Sequence, residues 1–401
     1  MTIGLARVIA NRNRWQLAGV LLAGVHILAT WLAAVGRGRI ARWNAGAVLP
    51  APAHECWPSV SVLVPAWRER GILDRCVHSL RAVDYPDWEV IIVAGGPDGT
   101  YAEALALGGS LKQCRVLEQQ PRGKNAALNQ GLALACGEVI VVLDADSQVA
   151  PGWLHALVAP IGHKVMASTG HPVPLRSTAV SQTEQLDLLV ARGIHGAVTL
   201  QGSGSIAVAR SVIDELGGFP EEVLVGVDWD LDARLAARGV TRAVCPEAIV
   251  YTERPATLAE YWRNEVRWRR AHLASLFRLR SVFLGTPLRA VTNLYIYVLG
   301  WFSLGLTLLA CGAALWGPPA ARKTLPRLWA LFVAWLLLRR AALAGEAAAL
   351  TGDWRLLRLA WAPPLLLCLT LAAIGPASLT LARNHAHFKG PRTHGADTYG
   401  R

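Results

Sequence analysis

Apolar and polar positions divide the 401-residue chain into two kinds of territory. Trp15 to about Gly36 reads WQLAGVLLAGVHILATWLAAVG, an apolar run that reaches the roughly 20 residues a helix needs to cross a bilayer. Arg7, Arg12 and Arg14 precede it and Arg37, Arg39 and Arg42 follow it, so the basic flanks balance and leave its orientation open. Its length, without a strong small-residue cleavage site, favours an anchor over a cleaved leader. Further apolar blocks run from Ala290 to about Trp316, Leu325 to about Leu343 and Leu359 to about Leu381. Arg339 and Arg340 interrupt the middle block, and charge in hydrocarbon is costly, so two or three C-terminal spans are expected. Ala362-Pro363-Pro364 predicts a kink in the last of them.

Between these blocks the period changes. From Trp57 to about Ile249, short β-rich runs (SVSVLVPA, WEVIIVAGG, RVLEQ, EVIVVLDAD, KVMASTG, AVCPEAIV) alternate with helix-length segments. GILDRCVHSLRAVDY and KNAALNQGLALAC carry apolar residues at helical spacing. Strands alternating with helices predict an α/β domain of Rossmann-like type, a mostly parallel sheet covered on both faces and flanked by transmembrane helices. Leu258 to Arg280 then sets Leu258, Tyr261, Trp262, Val266, Leu273 and Phe277 among six arginines, the pattern of a helix lying at a lipid interface. The expected organisation is a helix and linker at 1–50, a soluble domain at 51–255, an amphipathic interface helix at 256–285, C-terminal spans at 286–385 and a polar tail at 386–401.

Composition agrees with partial burial in lipid. Hydrophobic residues make up 53% and charged ones 17%, and mean hydropathy is +0.32. A formal charge of +12 fits an anionic partner. The arginines cluster beside apolar helices and lack a groove-reading module, so headgroups account for them better than nucleic acid does. The chain also lacks a large helical bundle, which argues against a transporter. Cys56, Cys76, Cys114, Cys136, Cys245, Cys311 and Cys368 show no paired metal-ligand spacing and read as reduced core thiols facing the cytosol. The histidines likewise form no paired-ligand spacing.

The chemistry concentrates after VIVVL. Asp144 and Asp146 follow that strand with Ala145 between them, and alternate residues of an extended segment present both carboxylates toward one hard cation. Such a cation would stabilise a diphosphate leaving group. Two aspartates can also simply end a strand, because turns favour Asp. The surrounding series decides between these readings. VSVLVPAWRER, RGKNAALNQGLALACGEVIVVLDADSQVAPGWL, GSGSIAVARSVIDELGGF, VDWDLDARLAARG and NEVRW stand in the order found in the inverting family-two glycosyltransferases of GT-A fold. The chain resembles that family, which includes cellulose and hyaluronan synthases and ceramide glucosyltransferase, over about Val60 to His272.

The resemblance implies a role for each matched position. Asp228 would be the general base; Asp146 and Asp144 would hold Mg2+ or Mn2+. Glu69, Asp98, Lys124, Asp144, Arg267 and Trp268 would bind the nucleotide-sugar donor, and Gly202, Ser203, Gly204 and Trp268 the acceptor. Asp230 and Asp232 are expected to serve the first helical turn and solvent. Three positions depart from the family. VAGGPDGT replaces the usual DDGS-type turn and leaves only Asp98, Val227 replaces the acid before Asp228, and Asn264 stands at the first position of QxxRW. The first puts uridine selectivity in question, while the others keep the base and the Arg-Trp pair.

The expected function is therefore an integral, multi-pass inner-membrane enzyme with a cytosolic catalytic domain. It would move a hexose from a nucleotide-sugar, UDP-sugar first, to a membrane lipid. A processive exopolysaccharide synthase is the alternative chemistry. A catalytically silent glycan-binding or regulatory subunit is the alternative class, but it would have no physical reason to keep Asp144, Asp146 and Asp228 together. Sugar, nucleotide, acceptor, number of crossings and oligomeric state are left open.

Overall fold

The computed structural model describes residues 56–380, apart from 163, 194–199, 201, 203, 224–225 and 286. The expected N-terminal span, the polar tail and Ser203 lie outside the described residues. In chain order the elements are β1 (Val60–Trp67), α1 (Leu73–Leu80), β2 (Trp88–Gly95), α2 (Thr100–Gly108), β3 (Cys114–Glu118), α3 (Lys124–Leu132) and β4 (Val139–Leu143). There follow β5 (Gln148–Val149), α4 (Trp153–Val158), β6 (Val165–Pro174), α5 (Ala179–Gly193), β7 (Ser205–Ala209), α6 (Arg210–Glu215), α7 (Val227–Ala237) and β8 (Thr241–Thr252). The chain continues through α8 (Leu258–Arg278), α9 (Arg280–Leu284), α10 (Pro287–Trp316), α11 (Pro319–Thr351), a 3-10 turn (Trp354–Leu359) and α12 (Ala362–Leu379).

One eight-stranded sheet has the order β3-β2-β1-β4-β7-β6-β8-β5. All strands but β5 and β7 run one way, as the alternation predicts. β4 (VIVVL) is buried throughout, because helices cover both faces and leave no solvent side for polar residues to face. β1 pairs with it in parallel from Val60↔Val139 to Leu63↔Val142. From β1 the chain moves outward to β2 and β3 and then returns to β4 on the other side. The crevice between the carboxyl ends of β1 and β4 is thus a topological switch point, where ligands bind in such sheets.

β7 is a strand that does not appear among the β-rich runs read from the sequence. Its five buried residues, SIAVA, pair antiparallel with β4 from Leu143↔Ser205 to Val139↔Ala209. Reversal has a direct consequence: the residues entering β7 arrive at the carboxyl end of β4, beside the aspartates.

Among the described residues, three helices are long and apolar enough to cross a membrane: Asn293–Trp316, Pro319–Ala349 and Ala362–Leu379. The middle one is continuous despite its arginines. Arg340 forms an ion pair with Asp187 of α5, and the Arg339 guanidinium lies 5.8 Å from the Trp335 ring, so each charge has a local partner. The expected kink at Pro363 and Pro364 is corrected: these prolines occupy the start of α12, where the missing N–H costs nothing.

α5 and α8 seat the sheet domain on this helical layer. Leu186 and Val190 of α5 pack with Leu343, Ala344 and Ala347 of α11 and with Leu359, a burial of about 2 kcal/mol for each of the two α5 side chains. Val180, Tyr261 and Leu366 form a second cluster, and the Tyr261 hydroxyl lies 2.9 Å from Thr370 Oγ1 of α12. α8 begins at a capping box of Thr257 and Glu260. Tyr261 and Leu273 of its apolar set face protein, whereas Leu258 and Phe277 are exposed.

Candidate active site

The site is assembled at the switch point from chain segments that are far apart in sequence. At the end of β1, Arg68 is the only described non-glycine residue with positive φ, 58°. This strained turn places Glu69 inside, 5% exposed, with its backbone N–H donating to Thr100 Oγ1 at 2.8 Å. At the end of β4, Ser147 N–H closes a turn on the Asp144 carbonyl at 3.0 Å. Ala145 is buried in the core while Asp144 and Asp146, on either side of it, stay partly exposed.

Lys124 opens α3 and forms an ion pair with Asp144 Oδ1. Burial by itself would depress its ammonium, but Asp144, then Asp228 and Asp146, outweigh that and hold it above the ordinary lysine value. Asp228, distant in sequence from Asp144 and Asp146, therefore lies within electrostatic reach of the same cation. Beneath them lies Cys76, fully buried. Burial raises its thiol pKa strongly, with Asp146, Asp144 and Glu69 adding to the effect, so it stays protonated and inert.

Asp228 sits in the first turn of α7, half-buried. Its Oδ1 accepts from Trp229 N–H at 2.9 Å and its Oδ2 from Gly202 N–H at 2.8 Å. Gly204, two residues on, accepts from Asp144 N–H through its carbonyl at 3.0 Å. The glycine turn thus touches both aspartates. Gly202 and Gly204 have φ of +67° and +72°, and a Cβ on Gly204 would meet Ser147 Oγ at 2.8 Å, so glycine is required at 204 by conformation and by space.

Of the remaining expected positions, Asp98 is engaged locally. Its Oδ1 accepts from Thr100 Oγ1 at 2.8 Å and its Oδ2 from Arg70 N–H at 3.3 Å. Arg267 and Trp268 lie half-buried on α8, with Arg267 Nη2 donating to Asn264 Oδ1 at 3.3 Å. Ala271, one turn further, approaches to 3.5 Å of where a Cβ on Gly226 would stand. The face carrying Arg267 is therefore turned toward the start of α7.

Two expectations are corrected. Asp230 and Asp232 are buried rather than solvated: Asp230 pairs with Arg234 and with Arg278 of α8, and Asp232 with Arg242 of β8. They brace α7 against its neighbours, since a buried carboxylate persists only when paired. Of the seven free cysteines only Cys76 and Cys245 are buried, while Cys56, Cys136, Cys311 and Cys368 are exposed. Sequence reasoning also missed Arg254 and Glu184, which stand behind the glycine turn, because no motif marks them.

Two partly exposed carboxylates, on either side of one buried residue, fit a divalent cation that completes its shell with diphosphate oxygens. Among the described residues no group of three or more His, Cys, Asp and Glu is arranged to hold a metal alone.

Comparison with known proteins bears on the family and the fold. The chain is 30% identical over 231 residues to beta-monoglucosyldiacylglycerol synthase of Trichormus variabilis, covering 53% of this chain and 48% of that protein. It is 25% identical over 224 residues to poly-beta-1,6-N-acetyl-D-glucosamine synthase of Staphylococcus aureus, covering 52% and 53%. The chain thus spans about half the length of these curated relatives. Mannosyltransferase PcManGT from Pyrobaculum calidifontis, solved with GDP-Man and Mn2+, superposes with a TM-score of 0.64 at 21% identity, over 92% of this chain and 99% of that one. Residues 58–271, just over half of the chain, match the profile described as glycosyltransferase like family 2, and the chain belongs to that family.

Proposed function

We propose that this protein is an inverting glycosyltransferase that moves a sugar from a nucleotide-sugar to a hydroxyl of a membrane lipid. The observation that carries the choice of acceptor is the seating of α5. This helix leads toward the glycine turn, and it is bedded on α11 through Leu186, Val190 and the Asp187–Arg340 pair. The same helix reaches the turn through Glu184 and Arg254, which holds Gly202, so contacts link Asp228 to a helix long enough to span a bilayer. The lipid-directed relative from Trichormus variabilis supports the same reading.

Asp228 takes the proton of the acceptor hydroxyl as the oxygen attacks the anomeric carbon. The bond from that carbon to the diphosphate breaks on the opposite face, and its electron pair leaves with the diphosphate. Lys124, kept protonated, and Arg267 meet the charge that develops there. Asp146 and Asp144 would hold Mg2+ or Mn2+, which supplies further neutralisation of the diphosphate when bound. Glu69 and Asp98 would bind the nucleotide end, Trp268 would offer an indole face to a sugar, and Gly202, Ser203 and Gly204 would bind the acceptor. In cells this reading requires the sheet domain on the cytosolic side of the inner membrane, where nucleotide-sugars are made.

The test is incubation of the full chain in vesicles containing diacylglycerol or polyprenyl phosphate, with labelled UDP-glucose, UDP-N-acetylglucosamine and GDP-mannose and with manganese or magnesium. Label in the organic extract is the expected result and identifies the donor. Label confined to high-mass aqueous material would overturn the lipid acceptor in favour of polymer synthesis.

A further inference from the structure

Behind the glycine turn, on the connector between β8 and α8, stands Arg254. Its guanidinium donates to the carbonyl of Gly202, and a Cβ on residue 202 would lie 3.3 Å from Arg254 Nη2. Gly202 N–H in turn donates to Asp228 Oδ2. One residue therefore carries Arg254 on its carbonyl and the general base on its amide.

The support behind Arg254 is itself fixed. Arg176 reaches Glu253 at 3.4 Å and Glu260 at 3.1 Å, so the backbone is held on both sides of Arg254. The Arg254 side chain is 18% exposed, and its counter-charge is Glu184 of α5, at 3.9 Å. Both Glu184 oxygens are buried without a hydrogen-bond partner among the described residues, and Arg254 lies within ion-pair distance of Oε2.

We propose that Arg254 is a positioning residue for the base: by holding the Gly202 carbonyl it aims the Gly202 N–H at Asp228 Oδ2 and fixes the carboxylate that receives the acceptor proton. This rests on the reading of Asp228 given above. A hydrogen bond from an ionised donor is about twice as strong as a neutral one, so it fixes the orientation of residue 202, whose own N–H makes the next bond. Without it, Asp228 keeps the bond from its own neighbour Trp229 but loses a firmly aimed second donor. Misplacement of a reacting group by about 1 Å costs roughly 10²-fold in rate.

The experiment compares the full chain in lipid vesicles with Arg254→Met, Arg254→Lys, Asp228→Asn and the Arg254→Met/Asp228→Asn double variant. Hydrogen exchange of the peptide spanning Gly202 is followed by mass spectrometry, alongside transfer from whichever of the three labelled donors wild type uses. Arg254→Met is expected to speed exchange at Gly202 and to lower kcat about 10²-fold with the donor KM unchanged. Arg254→Lys should restore most of both, and Arg254→Met should add nothing in the Asp228→Asn background. Unchanged exchange in Arg254→Met, which needs no turnover to read, would overturn the proposal, as would fully additive losses in the double variant. Wild-type turnover by Asp228→Asn alone would instead remove the base assignment on which it rests.

Discussion

The amide of Gly202 donates to the carboxylate of Asp228 across 2.8 Å, joining the turn before β7 to the first turn of α7. Asp228→Asn keeps an oxygen for this bond and so keeps the local fold, while it loses the ability to take a proton. We expect kcat to fall about 10³-fold with donor affinity retained, measured by steady-state transfer beside equilibrium binding of the donor.

Asp146 stands two residues beyond Asp144 on the turn after β4, and Asp144 is engaged by Lys124. Asp146→Ala should weaken UDP or GDP binding in manganese by about 10-fold or more and leave metal-free binding unchanged. Calorimetric titration with and without the cation reads this directly.

Gly204→Ala places a Cβ at 2.8 Å from Ser147 Oγ in a left-handed backbone. The expected cost is about 1–3 kcal/mol of stability, and activity should fall because the Gly204 carbonyl also anchors Asp144. Gly217→Ala, also at positive φ but with open space around it, is the control for backbone strain alone, and thermal unfolding separates the two.

His272 lies beneath Trp229, with ring centroids 3.7 Å apart. Burial, with help from Arg269, holds its pKa down at about 3. The folded state therefore refuses a proton that the unfolded chain accepts below its ordinary 6.5. Stability from this residue is intact above pH 6.5 and drains as pH falls toward 3, at up to about 1.4 kcal/mol per pH unit. His272→Phe keeps a ring under Trp229, and it should flatten the decline between pH 6.5 and 5 in denaturant titrations.

Arg340 and Asp187 join α11 to α5 with side chains 28% and 41% exposed. A double-mutant cycle of Arg340→Leu and Asp187→Leu should give a coupling of about 1 kcal/mol. The single Arg340 variant should lower transfer to lipid more than donor binding, since α5 leads toward the acceptor turn.

Much of this was legible in the chain. The Val and Ile runs of β1, β2 and β4 announce themselves through length and β-branching, and Asp144-Ala145-Asp146 declares its alternation of exposed and buried positions through a period of two. β7 did not, because SIAVA is too short for periodicity to separate strand from loop, and its direction depends on pairing with a strand more than 60 residues earlier. Arg340 looked like a defect in an apolar block because its partner, Asp187, is supplied from the other part of the molecule. Asp230 and Asp232 looked like surface acids for the same reason. What sequence hides here is the long-range partner, and Arg254 is legible only once Gly202 is seen between it and Asp228.

The glycine turn ties the backbone at Asp144 to the side chain at Asp228 within three residues, and that has an evolutionary consequence. A change that shifts one carboxylate is transmitted to the other, so substitutions around the turn cannot accumulate independently. Epistasis is expected to be strongest among residues 144, 202, 204, 228 and 254, even though they are scattered over more than a hundred positions of the chain.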